Sequence, residues 1–270
     1  MATPFSNNNK KNRRQRHSSP VSREDTIVFS LIERVRFPLN RPAYVAGSAV
    51  SGSCGSLGEF VIRETEAVYA KVLDVYVNCY GISRMASRYE NPEELPFFPE
   101  SLPPQGSSPL KNGTFLYPAG ASINMNNNIR SLYFEKLLPL FIVGGDDGNY
   151  VPTVQSDLAS LQSLSRRIHY GRFVAEVKYR DAPQDYEPAI RAKDRNALMK
   201  LLTSESVEEM VKRRVKKKAM VFGQNVTLGD DKDNKPRYKI DPLVVSRIYG
   251  EWVIPLTKIV QVEYLLRRLD

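Results

Sequence analysis

Apolar residues recur at steps of three and four through most of the chain, and wherever they do the pattern predicts helix. One such stretch opens at Glu24-Asp25, with acids in the first turn where the helix dipole favours them, and closes before Pro38. A second covers about 56–72 and a third about 123–142. The turn Gly144-Gly-Asp-Asp-Gly then leads into a long helix whose stripe is Leu158, Leu161, Leu164 and Ile168, and Pro183 ends it. Another helix is expected over 204–222, with Gly223 as its C-terminal stop. The last starts at Asp241-Pro242, a cap followed by proline at the first helical position, and runs to the C-terminus with a kink at Pro255. Strand alternation is scarce, so the expected fold class is all-α.

Two stretches break this periodicity. Residues 1–23 are polar, rich in Asn and Arg, and contain Pro4 and Pro20; they read as a disordered basic tail. Residues 91–122 hold seven prolines with Gly and Ser between them, which predicts a long surface connection. Residues 24–270 are then expected to form one helical domain.

Composition narrows the function classes. With 41% hydrophobic and 26% charged residues the chain is globular in type. No apolar run approaches the roughly 18 residues of a membrane span, and no secretory signal pattern is present, so no membrane association and a cytoplasmic address are expected. The alternative address is the plastid, because the tail contains Ser and no acid. Cys54 and Cys79 are the only cysteines and form no CxxC or Cys/His cluster, so neither a disulfide framework nor a metal site is expected. The net charge is +9, yet Lys10, Lys11, Arg13, Arg14, Arg16 and Arg23 in the tail account for +6 and leave +3 for the remainder. A nucleic-acid partner is not expected on that distribution. The basic run 212–218 winds around its helix and reads as a solvated face.

Candidate chemistry lies on the helices. If residues 161–178 form one uninterrupted helix, Arg167 and Lys178 return to within roughly 20° of one another, about 16 Å apart along the axis. Long side chains converge from there, and two converging cations suit a small ligand with two carboxylates. Ser204 with Glu208, and Thr257 with Gln261, are further polar pairs one turn apart on a face. Each pair also fits an ordinary solvated helix face, and spacing alone does not decide between the two. His17 and His169 are the only histidines, which leaves a Ser-His-Asp triad or a histidine metal site almost nothing to be built from. His169 reads as a partly buried aromatic, and what remains is a reaction served by positioning and charge stabilisation.

Four strings then carry a resemblance. Glu24-Asp-Thr-Ile-Val-Phe-Ser-Leu-Ile-Glu-Arg, Pro96-Phe-Phe-Pro, Leu161-Gln-Ser-Leu-Ser-Arg-Arg-Ile-His-Tyr-Gly-Arg-Phe-Val-Ala-Glu and Pro255-Leu-Thr-Lys with Glu263-Tyr-Leu-Leu-Arg-Arg-Leu resemble the all-helical chorismate mutases of plants and fungi. The likeness runs in order from Glu24 to Asp270 and is interrupted at 73–86, a stretch that is either a true insertion or an altered splice product. It implies a multi-helix fold with long central helices, a homodimer, and the cofactor-free rearrangement of chorismate to prephenate on the route to phenylalanine and tyrosine.

Carried over by position, the resemblance implies that Arg167 clamps a carboxylate and that Lys178 and Gln261 donate to the ether oxygen of the breaking bond. Glu208 would bind the ring hydroxyl, Thr257 and Ser204 would add contacts, and Val174 would form pocket wall. Fungal relatives have glutamate at the position of Gln261 and asparagine at that of Ser204. Regulated relatives use a Gly-Ser pair and paired arginines to bind aromatic amino acids; here Val151-Pro152 and Ser87-Arg88 stand at those places, so insensitivity to aromatic amino acids is expected, like that of the unregulated cytosolic plant isoforms. The family's N-terminal helical arginine falls at His17, with Arg16 beside it as the candidate substitute. Pro20 disfavours a continuous helix there. A missing charge-stabilising donor costs about 2.7–4 kcal/mol, so the alternative function is an impaired or inactive homologue that serves as a dimerisation partner.

Overall fold

The computed structural model describes residues 23–47, 55–79, 88–91, 93–103, 115–225 and 237–270. The basic tail with Arg16, His17 and Pro20, Ser87, residues 80–86 of the interruption and residues 104–114 of the proline-rich stretch lie outside the described residues. Among those described, the secondary structure is helical, and the one extended pairing is an isolated antiparallel bridge between Gln224 and Tyr238.

Helix α1 (Arg23–Arg34) buries Ile27, Val28, Leu31 and Ile32, which fall on one side of the helix, against α5 (Tyr150–His169) and α9 (Glu205–Phe222). Full burial of such a side chain contributes roughly 1.5–3 kcal/mol. Helix α2 (Leu57–Cys79) packs on α5 and continues past the expected stop near Val72 into the interrupting stretch. The stretch expected to be helical over 123–142 is assembled from pieces. After α3 (Pro118–Ala121) come α4 (Asn126–Leu132), a π-helical turn over Tyr133–Leu137 and a 3₁₀ turn over Leu138–Leu140 that contains Pro139.

Helices α6 (Gly171–Asp181), α7 (Pro183–Arg191) and α8 (Arg195–Leu202) lead back to α9. As expected, Gly223 follows α9, and α10 (Pro242–Ile248) is capped by the Asp241 carboxylate, which accepts from the Leu243 N–H. A π-helical turn over Tyr249–Val253 joins α10 to α11 (Ile254–Leu266), just ahead of Pro255. A proline lacks the N–H that an α-helix would direct to the carbonyl four residues back, and the wider turn takes up that irregularity.

Two apolar clusters result. One gathers α1, α5, α9 and α10 through Leu31, Leu161, Val215 and Val245; the other gathers α6, α7, α8 and α11 through Ala175, Ile190, Leu198 and Val262. Helix α11 spans both, giving Val260 to the first and Leu265 to the second.

Buried polar contacts lock the arrangement. The Arg34 guanidinium and Asp157 carboxylate, both fully buried, pair between α1 and α5, and Tyr44 and Tyr133 also donate to Asp157. The proline-rich stretch is more than a surface connection, contrary to its composition. Phe97 and Phe98 are buried, and the buried Glu66 carboxylate accepts both of their N–H groups at 2.9 and 3.0 Å. Asn126 holds the carbonyls of Leu95 and Pro96 as well. The run 212–218 likewise departs from a solvated face: Arg214 and Lys218 both pair with Glu24, Lys218 also pairs with Asp25, and Val215 is fully buried between them.

Candidate active site

The helix expected to run unbroken through 161–178 is two helices. Helix α5 ends at His169, Tyr170 adopts φ −58° and ψ −17°, and α6 begins at Gly171. A Cβ on Gly171 would lie 2.7 Å from the Thr257 carbonyl oxygen and 3.4 Å from Gln261 Cγ, so α6 begins in direct contact with α11. The Phe173 N–H turns to the Tyr170 carbonyl, and Arg172 Nε donates to that of His169.

Despite the break, Arg167 and Lys178 line one cavity of about 300 Å³. Val174, Ser204, Glu208, Thr257 and Gln261 line it too, so the described residues singled out for catalysis and substrate binding meet at a single place. The cavity lies where the two apolar clusters adjoin, with Val211 and Ile254 from the first and Leu202 from the second in its wall. Each element contributes for a local reason. Helix α5 ends in Arg166, Arg167 and His169, basic groups at a helix C-terminus; α9 opens with Ser204 at its N-cap and Glu208 in its first turn.

Arg167 donates to Thr257 Oγ1 at 3.4 Å and has no acidic partner among the described residues. The Thr257 hydroxyl donates to the Val253 carbonyl, which leaves its oxygen to accept. Lys178 has neither ion pair nor hydrogen bond among the described residues, and burial holds its pKa below the ordinary lysine value. Gln261 is buried. Its Nε2 spends one N–H on the Thr257 carbonyl at 3.3 Å, while its Oε1 is buried without a partner among the described residues. Glu208 accepts from Lys258 at 2.9 Å. Ser204 is exposed and leaves its cap position unbonded, its Oγ lying 3.3 Å from that of Ser206.

His169 lies outside this lining and is more buried than its sequence context suggests. Its Nε2 accepts the Met125 N–H at 2.8 Å and its Nδ1 donates to the Ser165 carbonyl, so the ring is neutral; burial lowers its pKa to about 4. Val151 and Pro152, which the resemblance sets at the effector positions, lie in the first turn of α5, and Arg88 donates to Gln162 and Glu94 while lying over the Tyr69 ring.

Lys258 lines the cavity and Gly171 packs beside it on Thr257, and the residue pattern singled out neither. Gly171 sits inside a helical run, a place where glycine marks close packing, and that signal was there to be used. Lys258 carries no such mark, because its partners Thr203 and Glu208 are 55 and 50 positions away in the chain and adjacent only in the fold.

Taken together, two acid-free cations, a carboxylate and an amide around a small half-apolar cavity can bind a dianion and stabilise charge on a third oxygen. Known proteins point the same way. The family described as chorismate mutase type II matches residues 153–262. Chorismate mutase 2 of Arabidopsis thaliana is 59% identical, covering 93% of this chain and 91% of its own. The cytosolic chorismate mutase 2 of Zea mays is 50% identical over 93% of each. The crystal structure of a Candida albicans chorismate mutase in complex with L-Trp superposes with a TM-score of 0.79 at 32% identity, covering 92% of this chain and 87% of the other. Likeness of this degree, sustained along nearly the whole of each relative, makes the chain a member of the chorismate mutase family.

Proposed function

We propose that the chain rearranges chorismate to prephenate inside this cavity, by clamping the substrate and stabilising charge, with no covalent intermediate. The observation that carries the proposal is the pair Arg167 and Lys178, two cations in one small cavity that lack an acidic partner among the described residues. Chorismate brings two carboxylates. Its ether oxygen gains negative charge as the bond to it breaks, so donors aimed there act where charge develops.

In this scheme Arg167 grips a carboxylate through its planar fork, a geometry that lysine does not reproduce. Lys178 and the uncommitted N–H of Gln261 donate to the ether oxygen. Glu208 receives the ring hydroxyl, Thr257 and Ser204 add polar contacts, and Val174 closes the wall. Holding the flexible side chain folded over the ring converts an improbable conformation into the bound one. Purified protein should consume chorismate and release prephenate, followed by absorbance; a folded chain that turns over none would overturn the assignment.

We also propose a cytosolic location, supported by the cytosolic maize relative, and a homodimer, supported by the family resemblance and by Phe60, Val68 and Tyr69, which α2 leaves exposed. Binding of aromatic amino acids is not proposed for this chain: a branched side chain and a proline ring stand where regulated relatives have small residues, and Arg88 is already engaged. The impaired-homologue alternative rests on Arg16, His17 and Pro20, outside the described residues, and the gathered cavity does not favour it.

A further inference from the structure

Among the cavity residues, Lys258 has no role in the scheme above, and it is the one cation there that already holds an acid. It sits next to Thr257 on α11, and its ammonium donates to Glu208 Oε1 at 2.9 Å and to Thr203 Oγ1 at 3.3 Å. The pair is sheltered, with 18% of the lysine and 27% of the glutamate side chain exposed. Thr203 caps the end of α8 and Glu208 lies in the first turn of α9, so one ammonium ties the corner between those helices to α11. Glu208 Oε2 has no partner among the described residues.

We propose that Lys258 is a positioning residue for Glu208: it occupies one carboxylate oxygen and leaves the other presented to the substrate's ring hydroxyl. The proposal rests on the reading of this cavity as the chorismate site. Charge matching supports the indirect role. With Lys258 and Glu208 neutralising each other, the two charges of Arg167 and Lys178 are left to balance the two charges of the substrate. A Lys258 turned instead onto the substrate would give three cations for two carboxylates and leave Glu208 unpaired beside a dianion, where like charges repel. Mechanics support it too. A glutamate side chain is costly to hold in one rotamer, and a partner fixed on the facing helix meets that cost before substrate arrives.

The test is a double-mutant cycle on the purified full chain, with kcat and KM for chorismate measured for Lys258→Met, Glu208→Gln and the two combined. A hydrogen bond to a charged group accounts for about a 10- to 100-fold effect, so each single change should lower kcat/KM by that factor, mainly through KM. Because both changes remove the same contact, the combined variant should fall no further than the worse single one, and Lys258→Arg should recover most of the loss. Should Lys258→Met not fold, Lys258→Gln supplies the same comparison. Losses that multiply in the combined variant, or a Lys258→Met enzyme with unaltered kcat/KM, would overturn the positioning role while leaving the active site in place. A folded wild-type chain inert toward chorismate would overturn the site reading and this proposal with it.

Discussion

Gly171 lies against the Thr257 carbonyl so closely that a Cβ would come within 2.7 Å of that oxygen. The neighbour is backbone, which cannot swing aside as a long side chain would. Gly171→Ala should therefore push α6 off α11 and separate Val174 and Lys178 from Thr257 and Gln261. Overpacking of this kind costs about 1–3 kcal/mol of stability, and a misplacement near 1 Å costs about 100-fold in rate. Urea unfolding and steady-state kinetics on the same preparation check both. A stable variant with wild-type kcat/KM would show that the contact does not set the site.

The pH dependence of kcat/KM should be flat through the acidic range and fall on the alkaline side. Gln261 is an amide and does not titrate, so nothing at that position switches off between pH 5 and 8. Lys178 must keep its proton to donate; burial lowers its pKa, so the alkaline fall should begin below the ordinary lysine range. Gln261→Glu should convert the profile to an acidic optimum, because a carboxyl donates only while protonated. A wild-type rate that drops sharply between pH 5 and 8 would remove Gln261 from the ether oxygen.

Acid should destabilise the fold through His169. Its pKa is lowered to about 4 by burial, from 6.5, so the unfolded chain takes up a proton at a higher pH than the folded one. The contribution is complete above the unfolded value and drains away as pH falls through the window from about 6.5 to about 4. Such a difference amounts to about 3 kcal/mol. Urea midpoints taken across that window should decline, and His169→Gln should shallow the slope. An equally steep decline in the variant would assign the loss to other groups.

Asp157→Asn should leave the Arg34 charge buried without its counter-ion and cost about 3–5 kcal/mol. Both side chains are fully buried, so water cannot compensate without opening the core. Equilibrium denaturation measures the loss directly. A change below about 1 kcal/mol would mean that Tyr44 and Tyr133, not the ion pair, carry this junction.

Tryptophan and tyrosine should leave the rate unchanged. An effector shifts affinity by about 5- to 150-fold when it is coupled to a site, and no such shift is expected where Val151 and Pro152 stand in place of the Gly-Ser pair of regulated relatives. Initial rates with and without millimolar amino acid decide the matter, and a several-fold change in either direction would contradict it.

Features set by local chemistry were legible in the chain. Asp241-Pro242 and Gly223 mark helix ends because capping and φ preference act within a few residues, and the gathering of Arg167, Lys178, Glu208 and Gln261 around one cavity matches the expectation from spacing joined to family likeness. The break at Tyr170 was not legible. The Gly171 that follows it meets α11 at Thr257, a contact made far along the sequence. For the same reason Arg214 and Lys218 read as solvated charges: their partner Glu24 is 190 and 194 positions away. Phe97 and Phe98 sat in a stretch whose prolines suggested surface, but the carboxylate that anchors them belongs to α2. Long-range pairing of polar groups escapes periodicity, which registers only which face of a helix is apolar.

The wide turn before Pro255 has a consequence for how this catalyst can change. An added or subtracted residue in Tyr249–Val253 would rotate everything downstream by about 100° about the helix axis. Thr257, Lys258 and Gln261 would swing away together, whereas replacing any one of them alters a single contact. Length within those five residues, more than the identity of any of them, is therefore what natural variation in this segment must preserve.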